Sequence, residues 1–230
     1  MTLPKGKDLE HLLLFVAFMY ARVPGRRALF AESMEDLSKL TLRLMFQNEE
    51  RYQAIREHLH NDGRLAGLSF DQLREFVYSE KYSVEPTRNA YLAVMLCEAK
   101  VVLPFLMKRS WYLLVVDGDD GNLVCSDCPV SLSWIGRERG FWSPGFGLTE
   151  TIVTMPLDKA TALAGVFKPV SGSMKVGTRE VAQINSLTGM YAERFIYSPT
   201  KDFLWLRWDG SVWGVNKLLE DMSQVPESQR

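Results

Sequence analysis

Two cysteines in a C-x-x-C arrangement, Cys125 and Cys128, have the spacing that most directly suggests chemistry. A redox pair normally lies at a helix N-terminus, where the dipole lowers the thiol pKa, but this pair follows a strand-like run and precedes Pro129. A structural zinc ion needs four ligands, and the sequence offers no second ligand pair. Cys97 lies in an apolar run and reads as a buried small residue. We therefore expect no metal and no cofactor.

The residues between the cysteines are more informative. Ser126 and Asp127 stand at the predicted end of a strand, and Pro129 lies just beyond them. The structural interpretation is that they fix a sharp exit from a predicted hairpin, because Asp and Ser side chains bind nearby main-chain groups. The functional interpretation is that Asp127 projects into a cleft as a base, an ion ligand or a ligand contact. The residues alone favour the structural interpretation.

A second candidate is the unit "RVPGRR", which carries Arg22 and Arg26 after an apolar run. Their guanidinium groups could clamp an anion or a carboxylate. Equally, a cation near a helix C-terminus could cap the last carbonyl groups. Both interpretations stay open at this point.

The remaining enzyme signatures are missing from the sequence. The chain has no G-x-S-x-G elbow, no Walker A loop and no G-x-G-x-x-G. Because catalytic triads assemble across a fold, this does not exclude an enzyme. Whether the protein is an enzyme is therefore left open.

Composition narrows the class of protein. The 230 residues are 47% hydrophobic and carry 27 basic against 28 acidic side chains, which suits a soluble globular domain without a strong nucleic-acid signature. Three cysteines in a chain of this length favour a reducing, cytoplasmic location. The apolar run at 12–21 is about half the ~20 residues that a membrane-spanning helix needs. It predicts a core helix and no membrane association.

The first half of the chain shows helical spacing. An apolar helix is predicted at 8–21, and Ser33 is predicted to cap a long helix that ends at 61–63. Ser69 and Gln72 form a capping-box pattern before a further helix. Residues 90–106 are apolar almost all round, as in a central buried helix.

The second half changes to strand-like spacing. Two β-rich runs flank the turn signal "DGDDGN" and predict a hairpin over 111–126, and two more strands are predicted around Asp158. A helix is predicted at 178–191, whereas the tail at 202–219 is ambiguous. We predict an α+β fold, a single domain over 1–230. Its helical layer, about 8–108, packs on a small, mostly antiparallel sheet in about 110–218.

Four blocks, taken together, resemble a mainly bacterial family called domain of unknown function 4238. They occur in the family's order and are "LLLFVAFMYARVPGRR", "LVCSDCPV", "IVTMPLDKATALAG" and "VAQINSLTGMYAERFIYSP". The chain departs from the family at Cys128, where Asn is usual, and at Cys125, where Thr is common. The family's usual opening segment, with a His and a Pro before a strand, is not found ahead of the first helix.

The resemblance adds Asn185 to the candidate residues and suggests a biological setting. Matching positions draw attention to Arg22, Arg26, Ser126, Asp127, Pro129 and Asn185. Asn185 lies inside a predicted helix, where it either faces water or satisfies something buried. Some family members are found with anti-phage defence genes, which implies an effector or sensor role by analogy.

The leading hypothesis is a ligand-binding or sensing module in which Arg22 and Asp127 meet between the helices and the sheet. An ion pair of purely architectural value is its competitor.

Two other classes of function are kept. One is a metal-dependent hydrolase, a nuclease-type effector, in which Asp127 and Glu98 or Glu193 hold a divalent ion. The other is a non-catalytic interaction subunit that contacts a protein partner through the aromatic segments 141–146 and 203–213.

Overall fold

The structure is a computed structural model that describes residues 2–56, 69–136, 143–207 and 209–217. The chain divides into two compact units. Unit 1 comprises Met1–Val23 and Met95–Arg230, and unit 2 comprises Pro24–Val94. The single-domain interpretation of the sequence stays a prediction.

The regular elements follow the order predicted for an α+β protein. The helices are α1 (Lys7–Ala21), α2 (Pro24–Met45), α3 (Glu49–Arg56), α4 (Phe70–Ser79), α5 (Arg88–Met107) and α6 (Thr178–Tyr191). The strands are β1 (Ser110–Val116), β2 (Cys125–Ser126), β3 (Ser131–Trp134), β4 (Thr151–Pro156), β5 (Thr161–Val166), β6 (Ser173–Val176), β7 (Ile196–Tyr197), β8 (Leu204–Leu206) and β9 (Val212–Gly214). The α+β prediction is confirmed.

A five-stranded mixed sheet forms the centre of unit 1, in the order β3-β4-β5-β1-β6. Three of its pairings are antiparallel, and β1 pairs with β6 in parallel. Two small antiparallel sheets, β2-β7 and β8-β9, complete the strands. The sheet is thus mostly antiparallel, as predicted.

Side-chain alternation along β1 gives the sheet two covered faces. Trp111 and Leu113 join one cluster with residues of α1 and α5, whereas Tyr112 and Leu114 join another with residues of α6. Trp111 pairs with Gly165 of β5, and its indole ring lies over that glycine. A Cβ added at Gly165 would lie 2.7 Å from the ring. A side chain at that position would displace the indole from the core.

The helix α1 lies where it was predicted, but the predicted burial of α5 is wrong. Its buried residues are Ala99, Val102 and Leu106, and much of its remaining apolar surface is exposed. Cys97 lies on α5 and is exposed, which corrects its interpretation as a buried residue. Among the described residues, α5 is also the helix that is long and apolar enough to cross a membrane, judged by length and composition alone.

Unit 2 is helical and has its own small core, in which Phe46, Tyr52, Leu73 and Val77 are buried. The prediction that Ser33 begins a helix is wrong, because α2 begins at Pro24. Proline suits the first turn of a helix as well as the end of the preceding one.

Two further predictions for this unit have different outcomes. The capping box is confirmed: the Ser69 hydroxyl accepts from the N–H of Gln72, whose side chain accepts from the N–H of Ser69. The predicted helix end at 61–63 lies outside the described residues.

The predicted hairpin over 111–126 is wrong. Strand β1 pairs with β5 and β6, and β2 pairs with β7. The β4–β5 hairpin and α6 are confirmed, and the ambiguous tail contains the β8–β9 hairpin. Sheet partners were therefore chosen by tertiary packing and not by the nearest turn signal.

Candidate functional site

The carboxylate of Asp127 binds the main chain of the connection between α6 and β7. Its Oδ1 accepts from the N–H of Glu193 at 3.1 Å, and its Oδ2 accepts from the N–H of Arg194 at 2.9 Å. The N–H of Asp127 donates to the carbonyl of Phe195 at 3.2 Å. Three hydrogen bonds therefore fix residues 193–195 against the end of β2.

These bonds also set the charge state of Asp127. Partial desolvation would raise the pKa of the carboxyl, but the main-chain donors outweigh it and hold that pKa below its ordinary value. A carboxylate that accepts several N–H bonds is favoured in its ionised form. Asp127 is therefore ionised at neutral pH, which suits an acceptor and not a general acid.

Ser126 and Pro129 complete a tight turn around this carboxylate. The buried Ser126 hydroxyl accepts from the N–H of Cys128 at 3.1 Å, and Pro129 is fully buried. All three residues of the predicted block thus shape the exit from β2, although the hairpin from which that exit was expected does not form.

Asn185 binds two other segments of the main chain, residues 122–124 and β8, from inside α6. Its Oδ1 accepts from the N–H of Val124 at 2.9 Å, and its Nδ2 donates to the carbonyls of Asn122 and Leu204 at 2.9 and 3.1 Å. The side chain is fully buried. Of the two alternatives left open by the sequence, Asn185 therefore satisfies buried groups and does not face water.

The neighbouring residues of α6 hold the β8–β9 hairpin. The hydroxyl of Ser186 accepts from the N–H of Leu206 at 2.7 Å and contacts its carbonyl at 3.1 Å. Gly189 lies against Trp205, and an added Cβ would approach that ring to 2.8 Å. Of the segments expected as a contact surface, Trp205 packs on α6, Phe203 and Trp213 are half-buried, and Phe146 is buried.

The two arginines do not join this arrangement as predicted. Arg22 is exposed and is the C-cap residue of α1, where its N–H donates to the carbonyl of Phe18 at 3.0 Å. The structure shows no ion pair between Arg22 and Asp127, because the carboxylate binds main-chain donors instead. Arg26 lies in the first turn of α2 and belongs to unit 2.

The thiols and carboxylates show no metal or redox arrangement in the part of the chain that the structure describes. No group of three or more His, Cys, Asp or Glu side chains there could hold an ion. Burial, followed by the charges of Asp127 and Glu193, raises the pKa of the Cys128 thiol to about 11. Cys128 is therefore a protonated thiol at neutral pH, unlike a reactive cysteine.

Arg109, which was not predicted from the sequence, is a buried side chain with four hydrogen bonds. Its Nη1 donates to the carbonyls of Thr151 and Gly165, at 2.8 and 3.1 Å, and its Nη2 donates to the carbonyl of Phe146 and the hydroxyl of Thr151, both at 2.8 Å. Burial lowers the pKa of Arg109 to about 10. The guanidinium also lies 4.4 Å from the centroid of the Phe167 ring. A single arginine before a strand carries no sequence signal for this role.

The fold and these contacts define an α+β protein whose candidate site residues mostly fix the main chain. The chain belongs to the family described as Protein of unknown function (DUF4238), whose sequence model matches residues 2–202. This confirms the resemblance found in the sequence. No curated protein and no solved structure matches the chain. The β8–β9 hairpin lies beyond the family match, although Asn185 and Ser186, which hold it, lie within the match.

Proposed function

We propose that the protein is a non-catalytic binding module that recognises a protein partner through the connection between α6 and β7. The observation that carries this proposal is an exposed apolar surface, here called the aromatic edge. Its four side chains are 39 to 70% exposed: Met190, Phe195, Ile196 and Tyr197.

The aromatic edge is held in place before any partner binds. Asp127 fixes residues 193–195 by three hydrogen bonds, and the short β2–β7 ladder pairs Ser126 with Ile196. The rings of Phe195 and Tyr197 lie 6.2 Å apart. A fixed surface loses less conformational entropy on binding than a loose one. This supports a recognition role and gives Asp127 the part of a positioning residue.

The side chains indicate the chemistry of the partner. Aromatic residues and Met are enriched in the centres of protein interfaces, where they enter apolar pockets of the other surface. Glu193 and Arg194 are exposed beside them and supply charges of both signs for a polar rim. The partner we propose is therefore a protein with an apolar groove. In an anti-phage setting it would be another component of the same defence system.

The metal-dependent hydrolase has less support. Both oxygens of the Asp127 carboxylate already accept main-chain N–H groups. A cation at this position would have to displace or share those donors, which fix the connection.

The experiment is a selection of phage-displayed peptides on the full-length protein, followed by binding measurements with purified peptides. We expect enriched peptides rich in apolar side chains, and at least tenfold weaker binding to the double variant Phe195→Ser/Tyr197→Ser. Met174→Ser, which removes an exposed apolar side chain from β6, is the control and should bind as the parent does.

Circular dichroism checks that the double variant is folded. Equal binding of the selected peptides to the parent and to a folded double variant would contradict the proposal. Failure to enrich any peptide would also count against it.

A further inference from the structure

The helix α2 has an exposed row of leucines that the aromatic edge does not involve. Leu29, Leu37, Leu40 and Leu44 are 43 to 64% exposed, and α2 has no buried residue. At 3.6 residues per turn the four lie within an arc of about 80° and along about 22 Å of the helix. We call this surface the leucine stripe. Scattered single leucines need no explanation, but four exposed leucines on one face of one helix, interrupted only by Ser33, do.

Charged residues lie along one flank of the leucine stripe, with the acidic residues at one end and the basic residues at the other. Glu32 and Asp36 lie in the N-terminal half of the flank, and Lys39 and Arg43 lie in its C-terminal half. By helix geometry all four fall within an arc of about 60° beside the leucines. The flank is therefore acidic toward one end and basic toward the other.

From this pattern we infer that the leucine stripe binds the same stripe of a second copy of the chain, with the two helices antiparallel. A two-fold axis at the level of Leu37 and Ser38 brings Leu37 to within two residues, about 3 Å, of the level of Leu40 in the other copy, and it brings Leu29 equally close to the level of Leu44. The same axis brings each charged flank against its own equivalent, reversed in direction. Leucine then meets leucine at these positions, and Ser33, which is exposed on the same face, falls between Leu40 and Leu44 of the other copy.

The reversed flanks are complementary in charge. Glu32 of one copy lies opposite Arg43 of the other, and Asp36 lies opposite Lys39. Within the chain, Lys39 already pairs with Glu35 at 2.7 Å and Arg43 pairs with Glu80. The residues of the second copy therefore extend existing ion pairs into networks. A parallel arrangement, with its two-fold axis along the helices, would instead put the two charged flanks on opposite sides of the pair, where they do not meet.

The experiment is sedimentation velocity of the full-length protein over a range of concentrations. We expect a concentration-dependent dimer for the parent, and dimerisation at least tenfold weaker for Leu40→Lys, which buries an ammonium group in the stripe. Met174→Lys, which introduces the same charge at an exposed apolar position on β6, should dimerise like the parent.

Charge reversal tests the antiparallel orientation. Asp36→Lys should weaken the dimer, because it places two lysines opposite each other, and Asp36→Lys/Lys39→Asp should restore it. Circular dichroism and thermal melts show whether each variant is folded. A monomeric parent, or a folded Leu40→Lys that dimerises like the parent, would overturn the inference. A double variant no better than Asp36→Lys would overturn the orientation.

Discussion

Asn185 and Arg109 are both buried side chains that bind main-chain groups distant in sequence, yet they differ in charge. Asn185 uses both ends of a neutral amide, and each of its two polar atoms has a partner. Arg109 buries a cation among carbonyl groups, and its Nε has no hydrogen-bond partner. The neutral amide brings hydrogen bonds at small desolvation cost, whereas the arginine brings hydrogen bonds together with the cost of a buried charge.

Because of this cost, the number of hydrogen bonds alone does not tell which of the two residues contributes more to the stability of the protein. Removing Asn185 leaves buried donors and acceptors unpaired, and no buried charge is removed to offset this cost. Removing Arg109 also leaves acceptors unpaired, but it relieves the desolvation of the guanidinium, which the lowered pKa of about 10 reports. We therefore expect the residue with fewer bonds to contribute more to stability.

The largest effect is expected for Asn185→Leu, which keeps the number and branching of the side-chain heavy atoms and removes three hydrogen bonds. Leaving the N–H of Val124 and two carbonyls unpaired should lower the free energy of unfolding by about 4 kcal/mol. Urea denaturation measures it. Gln183→Leu, at an exposed position of the same helix, is the control and should change stability by less than about 0.5 kcal/mol. Similar losses for the two variants would show that Asn185 has no special role.

A smaller effect is expected at Arg109. The relative stability of two variants, Arg109→Met and Arg109→Lys, tests the cost of burying its charge. Arg109→Met should destabilise by about 2 kcal/mol, because unpaired carbonyls are offset by the loss of the buried cation. Arg109→Lys should destabilise by about 3 kcal/mol, because it keeps a charge but loses the planar fork that reaches several acceptors. The same denaturation experiment compares them. If the lysine variant is the more stable one, the buried charge is not the deciding cost.

The smallest effect is expected for Asp127→Asn, which keeps one acceptor oxygen and removes the charge. Since Asp127 is partly exposed, the loss at neutral pH should be about 1 kcal/mol. The folded-state pKa is lowered, so the stabilisation is present above the unfolded pKa of about 3.9 and disappears as the pH falls through the folded value. Thermal melts of both proteins from pH 7 downward should converge in acid. A constant difference across that range would contradict this account.

Local signals in the sequence predicted the elements whose structure is local. The capping box of Ser69 and Gln72 acts within four residues, and the β4–β5 hairpin closes around a short turn. Asp127 was interpreted as a residue that fixes the exit from a hairpin, and its partners in residues 193–195 could not be read from the turn that contains it. Sequence spacing reports on neighbours along the chain and not on a segment more than sixty residues away.

Each wrong or missing prediction has a physical cause. The Pro24-Gly25 pair ends one helix and begins another, and only the first meaning was read. The apolar composition of α5 predicted burial on all sides, although the fold covers one side of it. Arg109 was missed because carbonyl groups, which every residue has, are its main partners.

The place of β1 in the middle of the sheet matters for how the chain is made. Both of its neighbours, β5 and β6, follow it in sequence, and the later one ends at Val176. At a translation rate of roughly 5–20 residues per second, the about 60 residues after Val116 take about 3–12 s to appear. Both edges of this apolar strand are unpaired until β5 appears, and one edge stays unpaired until β6 appears, so that other chains can pair with them. Losses to aggregation during synthesis would therefore depend on how fast the ribosome passes β5 and β6, and not on the stability of the finished protein.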